Sequence, residues 1–197
     1  PGALQSSRRE RDLFVAKLSS GALGLEAATF FGSVGTDTAY RVAMDASAAV
    51  VLSAETNRGG APVTPGAVDL EGKPDCSPYC FSDALIARLN SSLSRVHYAS
   101  YLSSGSGDSI RDFAGTTVVS LGGTTGGGDF PTTSGAFAES SNLGLSSASS
   151  DAFAARIDMS DAMPRLEWAG DQLGWQALGG AESYDVQRGD LGASFRL

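Results

Sequence analysis

The chain has 197 residues, of which 42% are hydrophobic and only 18% are charged, and its net charge is −8. This length and hydrophobic content allow one or two domains with a real core and exclude a disordered or membrane-spanning chain by composition. The acidic balance repels a phosphate backbone, and no basic stripe with interleaved aromatic residues is present, so we expect no nucleic-acid partner. No apolar run approaches the ~20 residues of a membrane helix, so we expect no membrane span.

A heptapeptide near the start of the chain recurs twice. Residues 12–18 read Asp-Leu-Phe-Val-Ala-Lys-Leu, residues 83–89 read Asp-Ala-Leu-Ile-Ala-Arg-Leu, and residues 151–157 read Asp-Ala-Phe-Ala-Ala-Arg-Ile. The copies begin 71 and then 68 residues apart. Such self-similarity at a nearly fixed period is the sequence signature of repeat architectures.

Each sequence unit contains four short β-type segments separated by turns rich in Gly, Ser and Asp. In the first unit they are residues 12–18, 26–31, 40–44 and 48–53, and in the second 83–89, 96–102, 110–113 and 116–121. Four antiparallel strands per unit predict an all-β fold of β-propeller blades, each a four-stranded antiparallel sheet. Tandem β-sandwiches are the rival, but each would need about seven strands and ~100 residues. Two complete units are fewer than the about 4–8 blades of a closed propeller, so we expect an incomplete propeller.

Two further motifs accompany the heptapeptide in a fixed order. Residues 101–108 read Tyr-Leu-Ser-Ser-Gly-Ser-Gly-Asp, and residues 130–137 read Phe-Pro-Thr-Thr-Ser-Gly-Ala-Phe, with a related Pro-Val-Thr-Pro-Gly-Ala at 62–67. With these motifs the units resemble the bacterial seven-bladed β-propeller-type repeat, often called the SBBP repeat, although residues 31–37 match its turn only loosely. The resemblance implies an exported bacterial protein, and we expect an extracellular, cell-surface or periplasmic location.

The C-terminal residues have a different character. The Leu-Gly-Trp at 173–175 and the Gly-Ala-Glu-Ser-Tyr-Asp-Val at 180–186 resemble the opening strands of a fibronectin type III-like domain. The alternative is a hairpin that completes the last blade.

The expected organisation follows from these motifs in chain order. It is the tail of a preceding repeat (1–11), a repeat with a cysteine loop (12–82), a second repeat (83–150), the start of a further repeat (151–168) and the C-terminal segment (169–197). Both ends look cut. We therefore expect other protein chains, or further parts of the same polypeptide, as the partners that complete the propeller.

Cys76 and Cys80 are the only cysteines, and they flank Ser-Pro-Tyr in a loop of the first repeat. A zinc site needs four ligands, and the single histidine, His97, is far away in the sequence. A redox pair has two residues between its cysteines instead of three. We therefore predict a local Cys76–Cys80 disulfide, which fits an oxidising compartment and pins the loop more than it stabilises the fold.

Two aspartates recur in the Gly-rich turn, Asp37 in the first unit and Asp108 in the second. One hypothesis makes them ligands of Ca²⁺, which requires several converging oxygen atoms. The other makes them turn residues whose carboxylates accept backbone N–H groups. No dense run of alternating aspartates is present, so the sequence itself favours turn chemistry.

No catalytic residue stands out from the sequence. The Gly-rich segment 122–128 lacks the Lys-Ser/Thr ending of a phosphate loop and is interpreted as a flexible turn, and His97 is interpreted as a packed strand residue. We therefore expect a non-enzymatic structural or interaction module of an exported protein, or an accessory subunit of a larger assembly. The alternatives are a propeller-based hydrolase or lyase, and a carbohydrate-binding surface. The latter would be marked by exposed aromatic residues such as Tyr79, Tyr98 and Tyr101 on one face.

Overall fold

The computed structural model describes residues 2–22, 24–72, 81–141 and 150–160, and the backbone of 166–169 and 172–175. The chain divides into two compact units, Pro1–Met163 and Pro164–Leu197. The strands of the first unit are β1 (Leu13–Leu18), β2 (Leu25–Phe31), β3 (Asp37–Met44), β4 (Val50–Thr56), β5 (Asp83–Leu89), β6 (Val96–Leu102), β7 (Asp108–Ala114), β8 (Val118–Thr125) and β9 (Asp151–Asp158). The all-β prediction is confirmed, and each of these strands overlaps a segment that the sequence pattern predicts.

The nine strands form three antiparallel sheets, each a meander of consecutive strands. Sheet 1 is β1-β2, sheet 2 is β3-β4-β5-β6, and sheet 3 is β7-β8-β9. Their boundaries do not coincide with the sequence units, since sheet 2 joins the last two strands of one unit to the first two of the next. The reason lies in the connections. The short link between β2 and β3 passes from one sheet to another, whereas the long link between β4 and β5 joins neighbouring strands of sheet 2.

Sheet 2 is buried on both faces at its two central strands. On β5, Leu85, Ala87 and Leu89 point into a core shared with sheet 1, while Ala84 and Ile86 point into a second core shared with sheet 3. Because successive residues of a strand point to opposite faces, a strand covered on both sides reads as a continuous apolar run. This explains why β4 and β5 lack the alternation of polar and apolar residues that a half-exposed strand shows.

A loop covers the outer edge of sheet 2. The Thr64 N–H donates to the carbonyl of Ala99 (3.1 Å), the Tyr101 N–H donates to the carbonyl of Asp69 (3.1 Å), and the Ser103 hydroxyl bonds the Asp69 carboxylate. The Pro-Val-Thr-Pro-Gly-Ala motif at 62–67 therefore lies beside β6. An edge covered in this way cannot pair with another chain.

The N-terminal residues do the same for sheet 1. The Gln5 N–H donates to the Thr29 hydroxyl (3.0 Å), and the Phe30 N–H donates to the carbonyl of Gln5 (3.1 Å). In sheet 2 the Asp69 N–H donates to the Ser100 hydroxyl (3.2 Å) in the same manner. Gln5 thus occupies beside β2 the place that Asp69 occupies beside β6.

The second unit contains an antiparallel hairpin, β10 (Leu166–Ala169) and β11 (Gln172–Trp175), in which Leu166 is paired with Trp175. The remainder of the segment predicted to begin a fibronectin type III-like domain lies outside the described residues. In the part of the chain that the structure describes, no helix has the length and apolar character needed to cross a membrane.

Candidate interaction surface

The recurring aspartates Asp37 and Asp108 are buried at the first positions of β3 and β7. Asp37 accepts a hydrogen bond from the Ser33 N–H (3.0 Å), and Asp108 accepts bonds from the Ser104 N–H (2.6 Å) and the Ser104 hydroxyl (2.9 Å). Each carboxylate therefore closes the turn that precedes its own strand. This is the arrangement that the turn hypothesis predicts.

The electrostatics of the two turns are alike. Burial raises the pKa of Asp37, while hydrogen bonds from Ser33 and Thr56 oppose the shift. Burial also raises the pKa of Asp108, against hydrogen bonds from Thr125 and Ser104. Both carboxyl groups therefore carry a desolvation cost that their hydrogen bonds offset only in part.

The calcium hypothesis gains no support from this geometry. Asp37 and Asp108 each bond a separate turn, at the start of strands in different sheets. Among the described residues, no group of three or more His, Cys, Asp or Glu side chains is placed to hold a metal ion. The observed hydrogen bonds place each aspartate in its own turn, and the calcium site, which needs six or more oxygen ligands, stays a hypothesis.

The cysteine loop lies outside the described residues, so the Cys76–Cys80 disulfide stays a prediction, and so does the position of Tyr79. His97 lies in β6 and is partly buried. The Gly-rich segment differs from the prediction of a flexible turn, because its first half, from Gly122 to Thr125, is the end of β8. Gly123 is required there because a Cβ atom would overlap the carbonyl of Ser109 and the ring of Phe153.

Two of the three tyrosines suggested for a carbohydrate surface, Tyr98 and Tyr101, are core residues. Tyr98 belongs to the core between sheets 2 and 3, and Tyr101 belongs to the core between sheets 1 and 2. The Tyr101 hydroxyl accepts a hydrogen bond from the Ala61 N–H (2.9 Å), and burial raises the pKa of Tyr101 to about 12. These two side chains point to opposite faces of one sheet and cannot form an exposed aromatic platform.

A small cleft of about 170 Å³ lies beside sheet 1. Its charged lining residues, Lys17 and Glu26, form an ion pair with each other at 3.4 Å. A pocket for a small molecule usually exceeds about 300 Å³, so this cleft is an unsuitable substrate site.

The most distinctive surface is one face of sheet 1. Phe14 lies opposite Phe30, and Ala16 lies opposite Ala28. Phe14 is 73% exposed, and Leu18 on the same strand is also exposed. We call this surface the leading face, and its members are Phe14, Ala16, Leu18, Ala28 and Phe30. It is an apolar sheet face open to solvent, of the kind that marks interaction sites.

The residues 71 positions later in the chain form the equivalent face of sheet 2. They are Leu85, Ala87, Leu89, Ala99 and Tyr101, and all five are completely buried. They lie in the core that sheet 2 shares with sheet 1. The leading face therefore has the residue types of a sheet–sheet contact, but no sheet in the described part of the chain packs against it. The sequence analysis did not predict this surface. The available signal was the 71-residue spacing, which aligns the strand at 12–18 with the strand at 83–89.

Comparison with protein-family models, with curated proteins and with solved structures gives no match.

Proposed function

We propose that the chain is a non-enzymatic structural and protein-interaction module, built from propeller-type repeats of an exported bacterial protein. The observation that supports this most directly is the leading face, whose counterparts in sheet 2 are buried against another sheet. The recurrence of whole hydrogen-bonded turns at Asp37 and Asp108 supports a repeated scaffold. The location outside the cell rests on the resemblance to SBBP repeats and on the predicted disulfide.

The proposed contact is one of sheet against sheet. Covering Phe14 and Leu18 would remove two large apolar side chains from water, and fully burying a side chain of this size stabilises by about 1.5–3 kcal/mol. The neighbouring alanines leave room for a second layer of side chains to approach. The module then acts by holding other protein surfaces through its end face, as an accessory subunit or as part of a longer array.

The test is the concentration dependence of the native mass, measured by light scattering, together with the binding of an apolar fluorescent dye. The unmodified chain should self-associate as its concentration rises and should bind the dye. Phe14→Asp should abolish the association and reduce dye binding several-fold, with an unchanged circular dichroism spectrum. Phe137→Asp is the matched control, because Phe137 is fully exposed but lies in a loop. Equal behaviour of the two variants would overturn the proposal.

A further inference from the structure

The edge of β1 differs from those of its counterparts β5 and β9. β5 pairs with β4 on one side and with β6 on the other, and β9 pairs with β8. In the described part of the chain, β1 pairs with β2 alone. The edge that β5 and β9 use to bind the preceding strand is therefore open in β1.

A second exposed region lies on the side of sheet 2 that faces sheet 1. Val42 on β3 is 65% exposed, and Met44 on the same strand is also exposed. The position 71 residues after Val42 is Phe113 on β7, which is 3% exposed in the core between sheets 2 and 3. Val42 and Phe113 are thus equivalent in sequence position, but Val42 is exposed and Phe113 is buried.

The packing of the strands explains this difference. β7 contacts β3, β4 and β5, whereas β3 contacts β1, the counterpart of β5. A pair of strands next to β1, in the places that β3 and β4 hold next to β5, would lie over Val42 and Met44. One added hairpin therefore accounts for both the open edge and the exposed side chains.

We infer that the open edge of β1 binds a β-hairpin equivalent to β3–β4, supplied by a further copy of the same repeat. This inference rests on the proposed function and names a partner for the β1 edge that borders the leading face. The hairpin adds antiparallel to β1 by main-chain hydrogen bonds, the mode known as β-augmentation. Its specificity comes from the side chains that pack over β3.

The register of the added hairpin follows from two pairs of strands. Thr56 lies opposite Asp83 where β4 meets β5, and Thr125 lies opposite Asp151 where β8 meets β9. The incoming strand should therefore place a threonine opposite Asp12. A slip by one residue would turn its apolar side chains away from β3, so this register is strongly favoured.

The test extends the chain with its own repeat. Residues 32–68 are placed directly ahead of Gln5, so that Gln5 takes the place of Asp69 and the added copy of β4 can reach β1. Hydrogen exchange followed by mass spectrometry should show at least tenfold slower exchange of the β1 amides than in the unmodified chain. Thiol labelling of a Val42→Cys substitution in the original copy, located by peptide mapping, should be slower in the extended chain than in the unextended chain by a similar factor.

The control carries Leu52→Pro in the added copy, because proline removes a hydrogen-bond donor from a strand that must pair on both sides. This variant should restore fast exchange in β1. Unchanged exchange in the extended, folded chain would overturn the inference.

The outcomes separate the inference from the proposed function. If Phe14→Asp abolishes self-association but the added hairpin does not protect β1, the module binds a different partner and only the inference is wrong. If Phe14→Asp and Phe137→Asp behave alike, the proposed function is wrong whatever the added hairpin does.

Discussion

The two outer faces of the sheet array differ in the residues that they expose. The leading face of sheet 1 carries phenylalanine and leucine, whereas the face of sheet 3 that points away from the core carries mostly small and polar residues, with Val118 as its one exposed large apolar side chain among the described residues. We call the latter the trailing face, and its members are Val118, Ser120, Gly122, Thr124, Ala152, Ala154, Arg156 and Asp158. The leading face therefore offers far more apolar surface that a partner can bury.

The equivalent positions in sheet 2 serve as the reference for both faces. The trailing-face residues Ser120 and Ala154 correspond to Val51 and Ile86, which are fully buried under sheet 3. Substitution of serine for valine and alanine for isoleucine removes the side chains that fill a core. The comparison shows that the leading face keeps the large apolar side chains of its buried counterpart in sheet 2, whereas the trailing face does not.

The largest expected effect separates the leading face from its buried counterpart. Leu85→Ala should lower the free energy of unfolding by about 3 kcal/mol, because it leaves a cavity in the core between sheets 1 and 2. Phe14→Ala should change it by less than about 0.5 kcal/mol, because surface substitutions rarely cost more. Urea unfolding of both variants measures the difference. Similar losses would mean that Phe14 is covered in solution.

The buried turns should come next. Asp108→Ala should cost about 2 kcal/mol, because it leaves the buried N–H and hydroxyl of Ser104 without their acceptor. Asp37→Ala should cost a similar amount at the turn of Ser33. Thermal unfolding of the two variants makes the comparison, and Asp112→Ala is the control because that carboxylate is exposed. A negligible loss in either turn would contradict a structural role for its aspartate.

The same aspartates should make stability depend on pH in a defined direction. Their folded-state pKa is raised by burial, so the folded chain binds protons at a higher pH than the unfolded chain does. Between pH 7 and about pH 4, the stability of the unmodified chain should therefore rise with falling pH relative to Asp37→Asn/Asp108→Asn. Urea titrations at several pH values measure this difference. The opposite slope would show that hydrogen bonding outweighs desolvation.

The ion pair of Arg88 distinguishes sheet 2 from the trailing face. Arg88 bonds Asp45 at 3.0 Å and is mostly buried, whereas its counterpart Arg156 is exposed. Arg88→Met should cost about 1.5 kcal/mol through loss of a charge-assisted hydrogen bond, and Arg156→Met should be nearly neutral. Calorimetry at neutral pH compares the two variants, and equal costs would contradict the interpretation.

Acid should remove the contribution of this ion pair. The hydrogen bond from Ser47 is the main cause that lowers the pKa of Asp45 to about 2, and Arg88 adds to it. The stabilisation is therefore present above the usual value of 3.8 and is lost as the pH falls toward 2. The difference between the unmodified chain and Arg88→Met should shrink over that range.

The smallest expected effect concerns the trailing face. Ala154→Ile restores the residue found at Ile86, but the side chain remains in solvent. The free energy of unfolding should therefore change by less than about 0.5 kcal/mol. A gain of 1 kcal/mol or more in urea unfolding would show that this face is covered in the native protein.

Much of the local structure could be predicted from the sequence. The four strand segments of each unit follow from short apolar runs bounded by Gly, Ser and Asp, and the recurring aspartates follow from turn chemistry. The burial of Tyr98 and Tyr101 could not be predicted in the same way. Their burial depends on which strands stack over them, and a strand covered on both faces has no alternation to show where each side chain points.

The grouping of strands into sheets was also beyond the sequence pattern. Each unit contains four strands, but sheet 2 combines halves of two successive units. The period alone is consistent with either grouping, since a repeat can be divided at any point. The choice depends on which connection crosses between sheets, and this is settled by packing rather than by any single turn.

By itself, the sequence determined the all-β class, the period and the local turns, because apolar alternation, Gly and Asp act over a few residues. Only the tertiary structure decided that the heptapeptide at 12–18 forms an exposed edge and face while its copy at 83–89 is a buried central strand. The physical reason is that burial depends on neighbouring sheets, and two similar strands meet different neighbours.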